Sequence, residues 1–107
     1  MTTIEAYRQK GIPCGIKVLG HTGYATSGTD IVCAAISVLV QTLEIGLGDV
    51  AGLQVKSVVD AASAFIELHW GIENSERVSI LTEAIFKALE EISRSYSNNV
   101  KFVEVSL

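Results

Sequence analysis

The stretch from Asp30 to Ile45 constrains this chain more than any other. It is helical in pattern and apolar on almost every side, through Ile31, Val32, Ala34, Ala35, Ile36, Val38, Leu39, Val40 and Leu43. A helix apolar all round is buried all round. With 107 residues there is room for one domain and one hydrophobic core. The whole chain, 1–107, therefore reads as a single domain. The helix should pack on a sheet on one side and on a second helix or a second subunit on another. Gly46-Leu47-Gly48-Asp49 should end it. Thr29 or Gly28 should cap its start, with Asp30 in the first turn at the positive end of the helix dipole.

Other periods surround this helix. Residues 3–9 and 14–20 read as strands joined by Lys10-Gly11-Ile12-Pro13, and in the second Cys14, Ile16 and Val18 alternate with Gly15 and Lys17. A further strand pair is expected near 53–60 and 63–70, the latter presenting Ala64, Ile66, Leu68 and Trp70 to one side and Phe65, Glu67 and His69 to the other. Ser75 should cap a second helix over 76–97, whose Val78, Leu81, Ile85, Leu89, Ile92 and Tyr96 form a regular apolar stripe. Asn98-Asn99 offers a turn, and 101–107 closes with an alternating strand. The order ββαββαβ predicts an α+β fold, an antiparallel or mixed sheet with two helices packed on one face.

Bulk properties narrow the function classes. Apolar residues make up 49% and charged residues 19%, enough for a packed core. The net charge of −4 and eight scattered basic residues argue against direct binding of nucleic acid, which needs clustered Lys and Arg. No secretory pattern opens the chain, since Glu5 stands where bases would and no apolar segment follows. The longest apolar run, Ile31 to Val40, is too short to span a bilayer, so no membrane association is expected. The expected location is cytoplasmic, where Cys14 and Cys33 should be reduced thiols.

Those thiols are where chemistry can lie. A free thiol is only a few per cent ionised at neutral pH, and a nearby histidine or a helix N-terminus raises that fraction. Cys33 falls in the first turn or so of the apolar helix, and His21 ends the preceding strand across the loop Thr22-Gly23-Tyr24-Ala25-Thr26-Ser27-Gly28. A strand end and the next helix start commonly meet at one edge of an α/β layer. Asp30, three residues before Cys33, is a candidate orienting acid for His21 or simply a helix-start acid. Taken singly, a cysteine in an apolar helix reads first as a small core residue, and His21 as a structural histidine. Cys14 reads as core, and His69 as surface or interface. A zinc set of Cys14, His21, Cys33 and His69 is the rival constellation, but no CxxC or HxxxH pair supports it. No metal or cofactor is expected.

The run Gly20-His21-Thr22-Gly23-Tyr24-Ala25-Thr26-Ser27-Gly28-Thr29-Asp30-Ile31-Val32-Cys33-Ala34-Ala35-Ile36-Ser37 closely resembles the signature of the ribosomal-processing cysteine proteases. That bacterial family shares a Gly-His pair, a loop, and then Gly-x-Asp-Ile-Val-Cys-Ala-Ala. The resemblance implies a thiol endopeptidase with His21 and Cys33 as catalytic residues and Asp30 as the motif aspartate. It implies a substrate too, the N-terminal extension of large-subunit ribosomal protein twenty-seven, cleaved after a Phe-Phe pair during ribosome maturation. A homodimer is implied as well. Thr22, Gly23, Tyr24 and Gly28 would form a mobile substrate loop, and backbone N–H groups near the helix start or Gly23 would steady the oxyanion. Thr22 stands where many relatives have alanine, and Cys14 is outside the motif. The alternative function is a non-catalytic peptide-binding ribosome-assembly factor of the same fold.

Overall fold

Alternating apolar residues build the sheet in a computed structural model that describes residues 1–26, 29–73 and 75–107. Strands β1 (Thr2–Gln9) and β2 (Ile12–Leu19) pair antiparallel, with Ile4 opposite Val18 and Ala6 opposite Ile16. Their turn is tighter than expected, only Lys10 and Gly11, at φ 53° and 77°. Two central residues at positive φ are the mark of the hairpin turn whose twist suits paired strands. Pro13 lies inside β2 rather than in the turn. The register slips there, with Tyr7 opposite Gly15 and Arg8 opposite Pro13, so Cys14 is the extra residue of a bulge.

The second hairpin is β3 (Lys56–Asp60) and β4 (Phe65–His69), shorter than the 53–60 and 63–70 expected. Strand β4 pairs with β2, and the last strand, β5 (Val100–Ser106), runs parallel to β1. The strand order β3-β4-β2-β1-β5 makes a mixed sheet. Ile4, Ala6, Ile16, Val18 and Leu68 point to the face the helices cover, and all belong to one core.

Helix α2 (Glu76–Ser95) follows its stripe. Ser75 caps it by accepting the Val78 N–H at 3.3 Å, and Val78, Ile85, Phe86 and Leu89 are buried. Helix α1 (Ile31–Ile45) departs from expectation. Val32, Ile36, Val40 and Leu43 are buried, but Ile31, Val38 and Ile45 are more than half exposed. Burial all round is therefore not achieved within one chain.

Nor does Gly46 end the helical path. It stays in the right-handed region, and a π-helical turn, Gly46–Val50, carries the helix on and buries Leu47. The glycine answers to packing instead, because a Cβ there would lie 2.5 Å from Cδ2 of Leu81 on α2. The resulting stretch, Ile31–Val50, has 20 residues and a mean hydropathy of 1.9, long and apolar enough to cross a membrane by those two measures. This corrects the expectation from Ile31 to Val40 alone. In this fold one side of the stretch is packed into the core with the sheet.

Candidate active site

Cys33 is the third residue of α1, and Asp30 builds the turn that presents it. Asp30 sits in extended backbone as the cap residue, and its Oδ1 accepts the Cys33 N–H at 2.9 Å. Aspartate is a stronger cap than threonine, which explains why the start falls on Asp30 rather than Thr29; Gly28 lies outside the described residues. The other oxygen, Oδ2, accepts the Thr22 hydroxyl, the Tyr24 N–H at 3.2 Å and the Ala25 N–H at 3.4 Å. The Thr22 hydroxyl, with the Cys33 amide next, holds the Asp30 carboxyl below its ordinary value. None of its hydrogen bonds runs to His21. In this geometry Asp30 ties the loop to the helix start.

His21 follows the end of β2 through Gly20. That glycine has φ 92°, and a Cβ on it would lie 2.6 Å from the Met1 carbonyl oxygen, so no other residue fits without shifting the N-terminal backbone. Gly20 N–H donates to the Ala64 carbonyl at 2.9 Å, tying this strand end to the β3–β4 turn. His21 is exposed and Cys33 half-buried. Both line a cleft of about 300 Å³ whose apolar wall includes Val18, Ile36, Val40, Val59, Phe65 and Ile66. Both also line a second hollow, with Gly23, Ala25, Asp30 and Ala34. The pair thus stands between two hollows, one of them strongly apolar. Among the described residues neither side chain has a hydrogen-bond partner, including the other.

The expected loop divides. Thr22 is 2% exposed and lines the cleft, while Gly23, at φ 70°, lines the second hollow. Tyr24 packs edge-on against the Tyr96 ring with centroids 5.4 Å apart. The loop's first half is anchored rather than free. Four N–H groups in the region expected to steady the oxyanion are already engaged, those of Cys33, Tyr24 and Ala25 by the Asp30 carboxylate and that of Ala34 by the Asp30 carbonyl.

Cys14 and His69 lie apart from this pair. Cys14 is a buried core residue, and burial pushes its thiol up. His69 alternates with core Leu68 and so occupies the opposite sheet face, where it stacks on Tyr7 with centroids 5.7 Å apart and bonds Glu67 at 2.9 Å. On that face, burial and the bond to Glu5 push the Tyr7 hydroxyl up to about 12. The four residues of the zinc set do not converge, and no group of three His, Cys, Asp or Glu among the described residues is placed to hold a metal.

Sequence reasoning did not name the cleft's outer wall. Val59, Ala64 and Phe65 come from the β3–β4 hairpin, which meets the site only through sheet pairing. Ser37 and Gln41 also line it. These two were legible, since they follow Cys33 at four-residue steps and so share its face of the helix.

Residues 1–101 match the family model described as cysteine protease Prp. Among solved structures, SMU.848 from Streptococcus mutans is similar to 100% of this chain over 96% of its own length, with a TM-score of 0.87 and 27% identity. The ribosomal processing protease Prp from S. aureus, solved with a covalently linked product peptide, has a TM-score of 0.87 and 17% identity over 98% of this chain and 100% of its own. The same S. aureus protease with a substrate peptide has a TM-score of 0.79. At 17% identity that likeness is one of fold. A search of curated proteins finds no match.

Proposed function

This chain belongs to the cysteine protease Prp family, and from that premise we propose that it removes the N-terminal extension of large-subunit ribosomal protein twenty-seven, cleaving after a Phe-Phe pair. In this reading Cys33 is the nucleophile and His21 the proton carrier. The observation that carries it is the placement of both side chains on the walls of one cleft, with an apolar wall beside them and a second hollow on the far side.

The third position of a helix lies within reach of the positive end of its dipole, which favours thiolate over thiol. The Cys33 thiolate attacks the scissile carbonyl. His21 protonates the leaving amine, then takes a proton from the water that releases the acyl group and frees Sγ. The apolar cleft suits an aromatic side chain next to the scissile bond, and the second hollow suits the chain beyond it. Bonding between Sγ and the imidazole forms when substrate displaces solvent from the cleft; catalytic hydrogen bonds are often long before substrate binds.

The substrate reading draws support from the S. aureus relative solved with substrate and product peptides. The working location is the cytoplasm and the working state a homodimer, with the exposed apolar side of α1 covered by the second copy. The test is cleavage of a peptide carrying Phe-Phe at the end of its leader. Wild type should cut after the pair, Cys33→Ala and His21→Ala should not, and replacing the second Phe by Ala should lower kcat/KM roughly 10- to 100-fold, the worth of burying one aromatic side chain. Full cleavage by Cys33→Ala would sink the reading.

A further inference from the structure

His21 is held from both sides by residues that the catalytic reading does not use. On its N-terminal side, the Gly20 carbonyl accepts the Thr2 hydroxyl at 2.8 Å. On its C-terminal side, the Thr22 carbonyl accepts the Asn99 side-chain amide at 3.0 Å. Thr2 and Asn99 are themselves joined, Thr2 N–H to the Asn99 carbonyl at 2.9 Å. The carbonyls of the two residues flanking His21 therefore hang from one bonded unit at the β1–β5 end of the sheet. Thr2 and Thr22 are each 2% exposed, so these polar contacts are partly shielded from water, where losing one partner carries a cost.

Thr22 extends the unit to the thiol. Its hydroxyl donates to Asp30 Oδ2, while Oδ1 of the same carboxylate holds the Cys33 N–H. A continuous path thus runs from Asn99 through Thr22 and Asp30 to the backbone of Cys33. The Tyr24 and Ala25 N–H groups reach the same Oδ2, so the loop after His21 meets the start of α1 at this one carboxylate.

We propose that Thr22, clamped by Asn99 and bonded to Asp30, is a positioning residue that sets His21 and Cys33 in one frame, rather than a contact for substrate. The proposal rests on the dyad reading above. It replaces the substrate-loop role for Thr22, whose side chain is buried and committed to Asp30.

Thr22→Val keeps the shape and removes the hydroxyl. It should lower kcat roughly 10- to 100-fold with KM within about twofold, as a misplaced reacting pair does. The pH at which half of Cys33 is trapped by iodoacetamide should move upward, because the Asp30 carboxylate loses a donor and bears more fully on the thiolate. Trapping is read on the peptide carrying Cys33, so Cys14 does not interfere. Thr22→Ser, which restores the hydroxyl, should recover kcat to within about threefold. Asn99→Ala should move kcat and trapping in the same direction by a smaller factor; if Thr22→Val fails to fold, this variant and Thr22→Ser decide. Wild-type kcat and trapping in Thr22→Val, a Thr22→Ser as impaired as the valine variant, or an inert Asn99→Ala would overturn the proposal. Trapping needs no substrate. A trapping shift in a protein that cuts no Phe-Phe peptide would overturn the substrate reading and leave the positioning role standing.

Discussion

Helices α1 and α2 begin with the same device and put it to different uses. In each, a side-chain oxygen at the cap accepts the amide of the third helical residue, Asp30 to Cys33 and Ser75 to Val78. At α2 the matter ends there; Val78 turns into the core, and Ser75 makes no other side-chain hydrogen bond among the described residues. At α1 the cap gathers Thr22, Tyr24 and Ala25 as well, and the third residue is a half-buried thiol at a cleft. The outer faces differ in the same sense. Helix α2 shows solvent Glu83, Lys87 and Arg94 with one large apolar residue, Ile80, whereas α1 shows it three, Ile31, Val38 and Ile45. One helix turns mostly charge to solvent, and the other turns a larger apolar face outward.

That contrast can be broken in three places. The largest effect should come from the caps. Asp30→Ala should cut kcat/KM by roughly 100-fold, since it releases both the loop and the helix start. Ser75→Ala should leave cleavage within about twofold while lowering unfolding free energy by about 1 kcal/mol. Equal loss of cleavage in the two would reduce Asp30 to an ordinary cap.

The outer faces give the next test. Val38→Glu should shift sedimentation to that of a monomer at concentrations where wild type is paired, and Lys87→Glu on α2 should not. A wild type that sediments as a monomer would remove the homodimer and leave the apolar side of α1 unexplained.

The smallest effect is on acid stability. Asp30 is held below its ordinary carboxyl value near 4. A carboxyl depressed on folding contributes its stability fully above the unfolded value, and that contribution is lost as pH falls through the native one. Asp30→Asn should therefore lose stability less steeply below about pH 4. The slope should not vanish, because Glu5, bonded by Tyr7, and Glu83, bonded by Arg8, are lowered too. Ser75→Asn, at a cap with no proton to exchange, should keep the wild-type slope.

Much of the fold was legible because its periods are clean. The stripe of α2 and the alternation of β4 gave element, face and core together. Helix α1 was legible as a helix but not as a surface, since an all-apolar pattern carries no mark of which side meets the sheet. Glycine was ambiguous for a physical reason: it serves both chain reversal and close packing, and Gly46 serves the second. Pro13 misled similarly, as a bulge admits a residue that cannot donate to the ladder. At the site, the resemblance pointed to His21, Asp30 and Cys33. The Asn99 contact spans 77 residues, and no local pattern could announce it.

The parallel pairing of β1 with β5 has a consequence in time. The strand that opens the chain stays half-paired until residues 100–106 emerge to lie beside it, and pairings over such separations close late. Asn99 arrives with them, immediately before β5. On the dyad reading proposed above, His21 and Cys33 are made well before Asn99, so the bond beside His21 can close only once Asn99 and the far end of the sheet have been made.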